Sequence, residues 1–198
     1  MGTLSTDGKN LIKGHEGFCL KFYGDPKGYP TVGWGHLITK NKVYTKNTTG
    51  NPVDSLLTQA QINEVVQYMG LDYTSPITQS KADTFFNNDT ASAISAVNGL
   101  SLPAGQQLSA AQFDALVSMT FNCGSGVLAT SDVVAMLAYA PIFPTYTGSR
   151  TTAVNDACSV LVSKAFSYDR NLQRRRNEEA TLFCKNATYT HKYPVYTL

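Results

Sequence analysis

Charge is sparse in this sequence. Asp, Glu, Lys and Arg make up 15% of 198 residues, and the formal net charge is only +2. A nucleic-acid-binding chain carries a basic stripe. Here there are only two modest basic clusters, Lys40/Lys42/Lys46 and Arg174/Arg175/Arg176. Both are read as solvated surface, with attraction to an anionic polymer as the alternative, and no nucleic-acid partner is expected. Long apolar runs are missing as well. None approaches the ~18–20 residues that a membrane span needs, so no stable membrane anchor is expected. The first residues, "MGTLSTDGKNLIKGHEG", lack the apolar centre of a secretory leader. Cysteine and histidine are few. Cys19, Cys123, Cys158 and Cys184 form no C-x-x-C pair, which leaves a zinc ribbon or redox dithiol without support. Reduced, buried thiols are the expectation, and a bridge in an oxidising compartment stays open. His15, His36 and His191 are too dispersed for a metal site. No metal site is expected, and no cofactor.

What is present is a 42% hydrophobic fraction, enough for one buried core or one core with a small lobe. Leu4, Leu11, Ile12 and His15 recur at helical spacing after a Ser5/Thr6 cap, and Gly17 is a plausible stop. From Phe18 the period becomes two: Phe18, Leu20 and Phe22 alternate with Cys19, Lys21 and Tyr23, as in a half-buried strand. "GDPKG" suits a type I turn, and "YPTVGWGHLI" reads as one returning strand with Pro30 at its start or edge. The polar segment "TKNKVYTKNTTGNPVDS" predicts an exposed loop. Helices follow. Capping-box pairs Thr58/Gln61 and Ser109/Gln112 open two of them, Gly70 and Gly124 close them, and others are expected within 77–99, around Asp132–Tyr139 and Thr152–Phe166, and over about Asp169–Phe183. One helix, a small sheet, then helices only is an α+β pattern with a segregated sheet.

The stretch "IKGHEGFCLKFYGDPKGYPTVGWGHLITK" places two carboxylates, Glu16 and Asp25, and the hydroxyl of Thr31 around a glycine-rich turn. Glycosidic hydrolysis needs one carboxylic acid to protonate the leaving oxygen and a carboxylate opposite it. Glu16, at a helix end beside apolar residues, and Asp25, in a solvated turn, occupy unlike settings, which separates the two roles. Strand parity puts Thr31, Gly33 and Gly35 on one nearly bare face, and glycine within a strand often marks a close approach. Trp34 reads as core. His36 reads as a structural histidine paired with a carboxylate, Asp89 being the candidate.

The spacing of Glu16, Asp25 and Thr31 resembles the catalytic signature of phage-type (T4-like) lysozymes, glycoside hydrolase family 24. Three later stretches resemble further parts of that family: "PITQSKADTFFNNDTASAISAVN" its interlobe helix region, "LSAAQFDALVSMTFNCGSGVL" its central buried helix, and "NLQRRRNEEATLF" its C-terminal helix with paired arginines and a glutamate. The resemblance implies a lysozyme-like α+β fold. A small antiparallel sheet lobe (about 16–75) and a larger helical lobe (about 1–15 and 76–198) would flank an active-site cleft. It implies a monomeric muramidase acting on peptidoglycan glycan strands, with Glu16 as general acid, Asp25 as base or electrostatic partner, and Thr31 positioning water or substrate. Gly33, Gly35 and Leu37 are the expected substrate-binding positions. Such an enzyme would accumulate in a host cytoplasm before lysis. The alternatives are a wall-degrading domain of an effector or tail-associated protein, a peptidoglycan-binding module without catalysis, and a chitin-directed hydrolase. The segment Asn41–Gly70 is longer than in a compact family member, and "LAYAPIFPTYTGSRTTAVND" is unusual for it.

Overall fold

A computed structural model describes residues 1–69, 75–139, 161–167 and 172–184. The expectations for Gly70, for most of Thr152–Phe166, for Cys158 and His191, and for nearly all of the unusual proline-containing segment fall outside these residues. The chain divides into two compact units, residues 13–91 and residues 1–12 with 92–198.

The first unit holds the sheet. Helix α1 (Thr6–His15) enters it. At the start of α1 the Ser5 carbonyl accepts from the Lys9 N–H at 3.0 Å and its hydroxyl from the Gly8 N–H at 3.3 Å, as an N-cap serine does. Strand β1 (Cys19–Gly24) pairs antiparallel with β2 (Pro30–Gly33), which pairs antiparallel with β3 (His36–Leu37). The predicted turn closes with Gly28 N–H donating to the Asp25 carbonyl at 2.8 Å. Pro30 begins β2, where its missing N–H breaks no ladder bond.

Two strand expectations change. The single returning strand is two short ones, because Gly33 and Gly35 take φ of +65° and +77° and turn the chain between them. Parity therefore does not carry across Trp34. Gly33 is buried with its hydrogens toward Ala82 of the long helix, where an added Cβ would stand 3.2 Å from the alanine methyl. In β1, Phe18 precedes the strand and is 38% exposed, whereas Tyr23, predicted outward, is 5% exposed. The β1–β2 register shifts between Cys19 and Tyr23, and such an irregularity re-aims side chains.

The segment after Lys40 supplies the cover over Tyr23. It was expected as an exposed loop, yet Asn47 and Ser55 are buried. Asn47 Oδ1 accepts from the Gly50 N–H at 2.9 Å and the Thr49 N–H at 3.2 Å, closing the loop on itself. The loop is laid on the sheet by Tyr44 N–H to the Gly28 carbonyl (2.8 Å), Asn47 N–H to the Asp25 carbonyl (3.0 Å) and Leu57 N–H to the Phe22 carbonyl (2.9 Å). Tyr23 forms an isolated antiparallel bridge with Leu56. Glycine is required at position 24, where a Cβ would lie 1.9 Å from the Thr45 carbonyl oxygen. Helix α2 (Gln59–Met69) starts at the predicted box, with Thr58 N–H donating to Gln61 Oε1 at 2.8 Å. Glu64 of α2 holds the loop through Lys42 and through the Tyr44 hydroxyl at 2.8 Å. The Lys42 bond is the main reason the Glu64 carboxyl sits below its usual range. Phe22, Val32, Leu57, Ile62, Val65, Ile77, Ala82 and Phe85 form the core. Ala82 and Phe85 come from α3 (Gln79–Asn98).

The second unit is built around α4 (Ala110–Cys123). Both bonds of the Ser109/Gln112 capping box are made, and Gly124, at φ +82°, ends the helix. Every residue from Gln112 to Thr120 is buried, the pattern of a helix covered on all sides. Helix α5 (Ser131–Tyr139) follows, then a helical stretch at 161–165 and α6 (Gln173–Phe183). The solvated reading of Arg174–Arg176 holds only for Arg174. Arg175 and Arg176 are 3% and 0% exposed beside fully buried Glu179. Glu179 Oε1 accepts from Ser118 Oγ at 2.6 Å and Arg175 Nε at 3.2 Å, while Arg176 Nη2 donates to Asn122 Oδ1 at 2.9 Å. Helical spacing on α6 turns two of three consecutive arginines toward α4, and Glu179 of the same helix pairs with both.

Candidate active site

Glu16, one residue beyond the end of α1, is half-buried. Gly35 borders it: an added Cβ would stand 3.2 Å from Glu16 Oε2, so only glycine leaves the carboxylate its present place without contact. The turn carrying Gly35 is anchored on both sides. Trp34 Nε1 donates to Asp83 Oδ1 at 3.2 Å. Its ring contacts Phe18, 4.1 Å away by centroids, and the Lys13 ammonium, 4.7 Å from its centroid. Lys13 also bonds Asp83 at 2.6 Å and, above all other influences, holds that carboxyl below its usual range. On the other side His36 Nδ1 meets Asp89 Oδ2 at 2.9 Å, and its ring stacks on Phe85 at 4.1 Å. His36 thus has the structural role and the partner read from sequence.

Asp25 is oriented by the turn it begins. Its Oδ1 accepts the backbone N–H groups of Lys27 at 2.7 Å and Tyr29 at 2.8 Å, an Asx-type turn. Its second oxygen, Oδ2, has no hydrogen bond among the described residues. Thr31 in β2 is buried, and its hydroxyl donates to the Tyr29 carbonyl at 3.0 Å.

One cavity of about 410 Å³ collects these groups. Glu16, Asp25, Thr31, Gly35 and Leu37 line it, all from residues 13–91. Gly33 is outside the lining, directed to Ala82 instead. Sequence reasoning did not place Tyr23, Asn47, Gly50 or Pro52 at the site, and read Lys40 as solvated surface; all five also line the cavity. Tyr23 had one available signal: it lies two residues before Asp25, near the end of β1. Burial first, then the charges of Cys19, Glu16 and Asp25, push the Tyr23 phenol well above its usual range, so it faces the cavity as a neutral hydroxyl.

The Phage lysozyme family model matches residues 13–179. This chain belongs to the phage lysozyme family. Within that family's reach, the chain is 30% identical to the endolysin of Salmonella phage P22 over 69% of this chain and 74% of that protein. It is 34% identical to the pre-baseplate central spike protein Gp5 of Enterobacteria phage T4 over 65% of this chain, a stretch covering only 21% of the spike protein. Among solved structures, the muramidase domain of SpmX from Asticaccaulis excentricus superposes with a TM-score of 0.53, at 21% identity over 92% of this chain and 98% of that one. The endolysin from Escherichia coli O157:H7 phage FAHEc1 gives 0.51, at 23% identity over 95% and 96%. These likenesses establish a lysozyme-like α+β fold.

Proposed function

We propose that this phage lysozyme family member is a muramidase that hydrolyses the β-1,4 bond between N-acetylmuramic acid and N-acetylglucosamine in peptidoglycan. The observation that carries the reading is the gathering of Glu16, Asp25 and Thr31 around one cavity of about 410 Å³. Two carboxyl groups held by different elements, one at a helix end and one in a hydrogen-bonded turn, suit acid and base work on a glycosidic bond. Glu16 protonates the leaving oxygen. Asp25, with Oδ1 occupied by two N–H donors, takes a proton from water through Oδ2, and Thr31 helps hold that water. Direct attack by water inverts the anomeric centre, so the first product is the α anomer. The residues that line the cavity supply acid, base and hydroxyl, and the reaction calls for no cofactor.

Leu37 and Gly35 at the mouth of the cavity are the substrate-binding positions of this reading, and the enzyme acts as a monomer. Among the described residues no helix is long and apolar enough to cross a membrane. As an endolysin the enzyme would collect in the host cytoplasm and meet the wall after the membrane is breached. The match to the pre-baseplate central spike protein favours a second setting, a wall-degrading region of a tail-associated assembly. Clearance of purified cell walls tests the activity. Mass spectrometry of the fragments, with NMR of the first-formed anomer, tests the linkage and the inversion. Products reduced at N-acetylglucosamine, or a β anomer, would sink the respective claim.

A further inference from the structure

The polar groups of the cavity differ in what they still have to offer. The Thr31 hydroxyl hydrogen is engaged by the Tyr29 carbonyl at 3.0 Å, so toward the cavity its oxygen can only accept. Asp25 Oδ2 is likewise an acceptor. Neither can donate, and a water held by these two alone would have both hydrogens fixed and both lone pairs loose.

Tyr23 is a group of the opposite kind. It is 5% exposed, lines the cavity, and its hydroxyl makes no hydrogen bond among the described residues. With its oxygen open to the cavity and no protein partner among the described residues, the hydroxyl is available to donate to a water or ligand there. Tyr23 is the cross-strand partner of Thr31, so the two side chains share a face of the sheet, and Asp25 follows two residues on. The phenol oxygen lies 3.9 Å from the point where a Cβ on Gly17 would stand, next to Glu16 along the chain. The raised pKa, caused first by burial and then by nearby negative charge, keeps the hydroxyl protonated and therefore a donor.

We propose that Tyr23 is the third holder of the attacking water: its O–H donates to one water lone pair, while the two water hydrogens go to Asp25 Oδ2 and Thr31 Oγ1. The arrangement rests on the muramidase reading above and completes it. Three of the four tetrahedral valences of the water are fixed, and the remaining lone pair is left for the anomeric carbon. As the water oxygen bonds that carbon, the glycosidic C–O bond breaks and its electron pair leaves with the departing sugar oxygen. That oxygen takes the Glu16 proton. One water proton passes to Asp25, and the other stays on the new anomeric hydroxyl beside Thr31. Orientation of this kind acts on the chemical step rather than on sugar binding.

The test is Tyr23→Phe, measured beside Asp25→Asn on soluble uncross-linked peptidoglycan strands. The expected result is a kcat about 10- to 100-fold lower, the loss of one hydrogen bond in the transition state, with KM and Tm unchanged. Wild-type kcat in Tyr23→Phe while Asp25→Asn is inactive would overturn the role of Tyr23 and leave the muramidase reading standing. A loss confined to KM, or a lowered Tm or failure to fold, would also overturn it, because each would give the hydroxyl a binding or internal structural partner. Wild-type kcat in Asp25→Asn would overturn the underlying assignment and this one with it.

Discussion

The two units bury polar groups in opposite ways. In residues 1–12 with 92–198, Glu179, Arg175, Arg176 and Ser118 close on one another between α4 and α6, so the charges answer each other inside the protein. In residues 13–91, Asp25 is held by one oxygen only, and the Tyr23 hydroxyl by nothing among the described residues. A network whose charges pair with one another ties helices together, whereas groups that keep bonding capacity toward a cavity are places for a substrate. A buried ion pair is by itself weak evidence of stability, but removing one partner is costly, because the other is left uncompensated.

The contrast can be broken most sharply at Glu16. Glu16→Gln is expected to lower lytic activity by about 10²–10⁴-fold, the range for a lost general acid, with an unchanged melting curve. Activity retained in a turbidity assay would remove Glu16 from the acid role. The mirror-image change is Glu179→Gln, expected to cost about 3–5 kcal/mol of stability because two arginines lose their buried counter-charge. Urea denaturation measures that cost, and kcat per folded molecule should be unaltered. Gly35→Ala tests whether the turn is shaped around the acid. Its φ of +77° and the 3.2 Å approach to Glu16 should cost ~1–2 kcal/mol of backbone strain and reduce kcat as well. Ser109→Ala removes the cap of α4 and should cost about 1 kcal/mol with no effect on activity.

The smallest effect concerns pH. Tyr23 has a folded pKa raised above its ordinary value of 10.0, so above pH 10 the native state holds a proton that the unfolded chain gives up. Its contribution to stability is complete below that value and declines as pH rises toward the raised one. Tyr23→Phe should therefore lose less stability than the parent between pH 9 and 11, compared by denaturation midpoints; equal slopes would count against a phenol held neutral by the fold.

Much of the local structure was legible because it depends on residues close in sequence. The capping boxes at Thr58 and Ser109, the glycine stop at Gly124 and the turn at Asp25 each involve residues within four positions. The His36–Asp89 pair, 53 residues apart, was also named from sequence, as a structural histidine with a carboxylate partner. Parity misled at Gly33 because two positive-φ glycines turn the chain where a continuous strand was assumed. It misled at Tyr23 because a segment some thirty residues away covers a face that the strand alone would leave open. The arginine run misled because composition does not say which side of α6 meets α4.

By itself the sequence determined the residues proposed to carry the chemistry and their spacing, Glu16, Asp25 and Thr31, together with the capped helices and glycine turns around them. Those follow from backbone preferences and side-chain bonding over short range. Only the tertiary structure decided that Tyr23 joins them while Gly33 does not, and that Arg175 and Arg176 lie inside. Burial and the direction of a side chain are set by what packs against it from far along the chain.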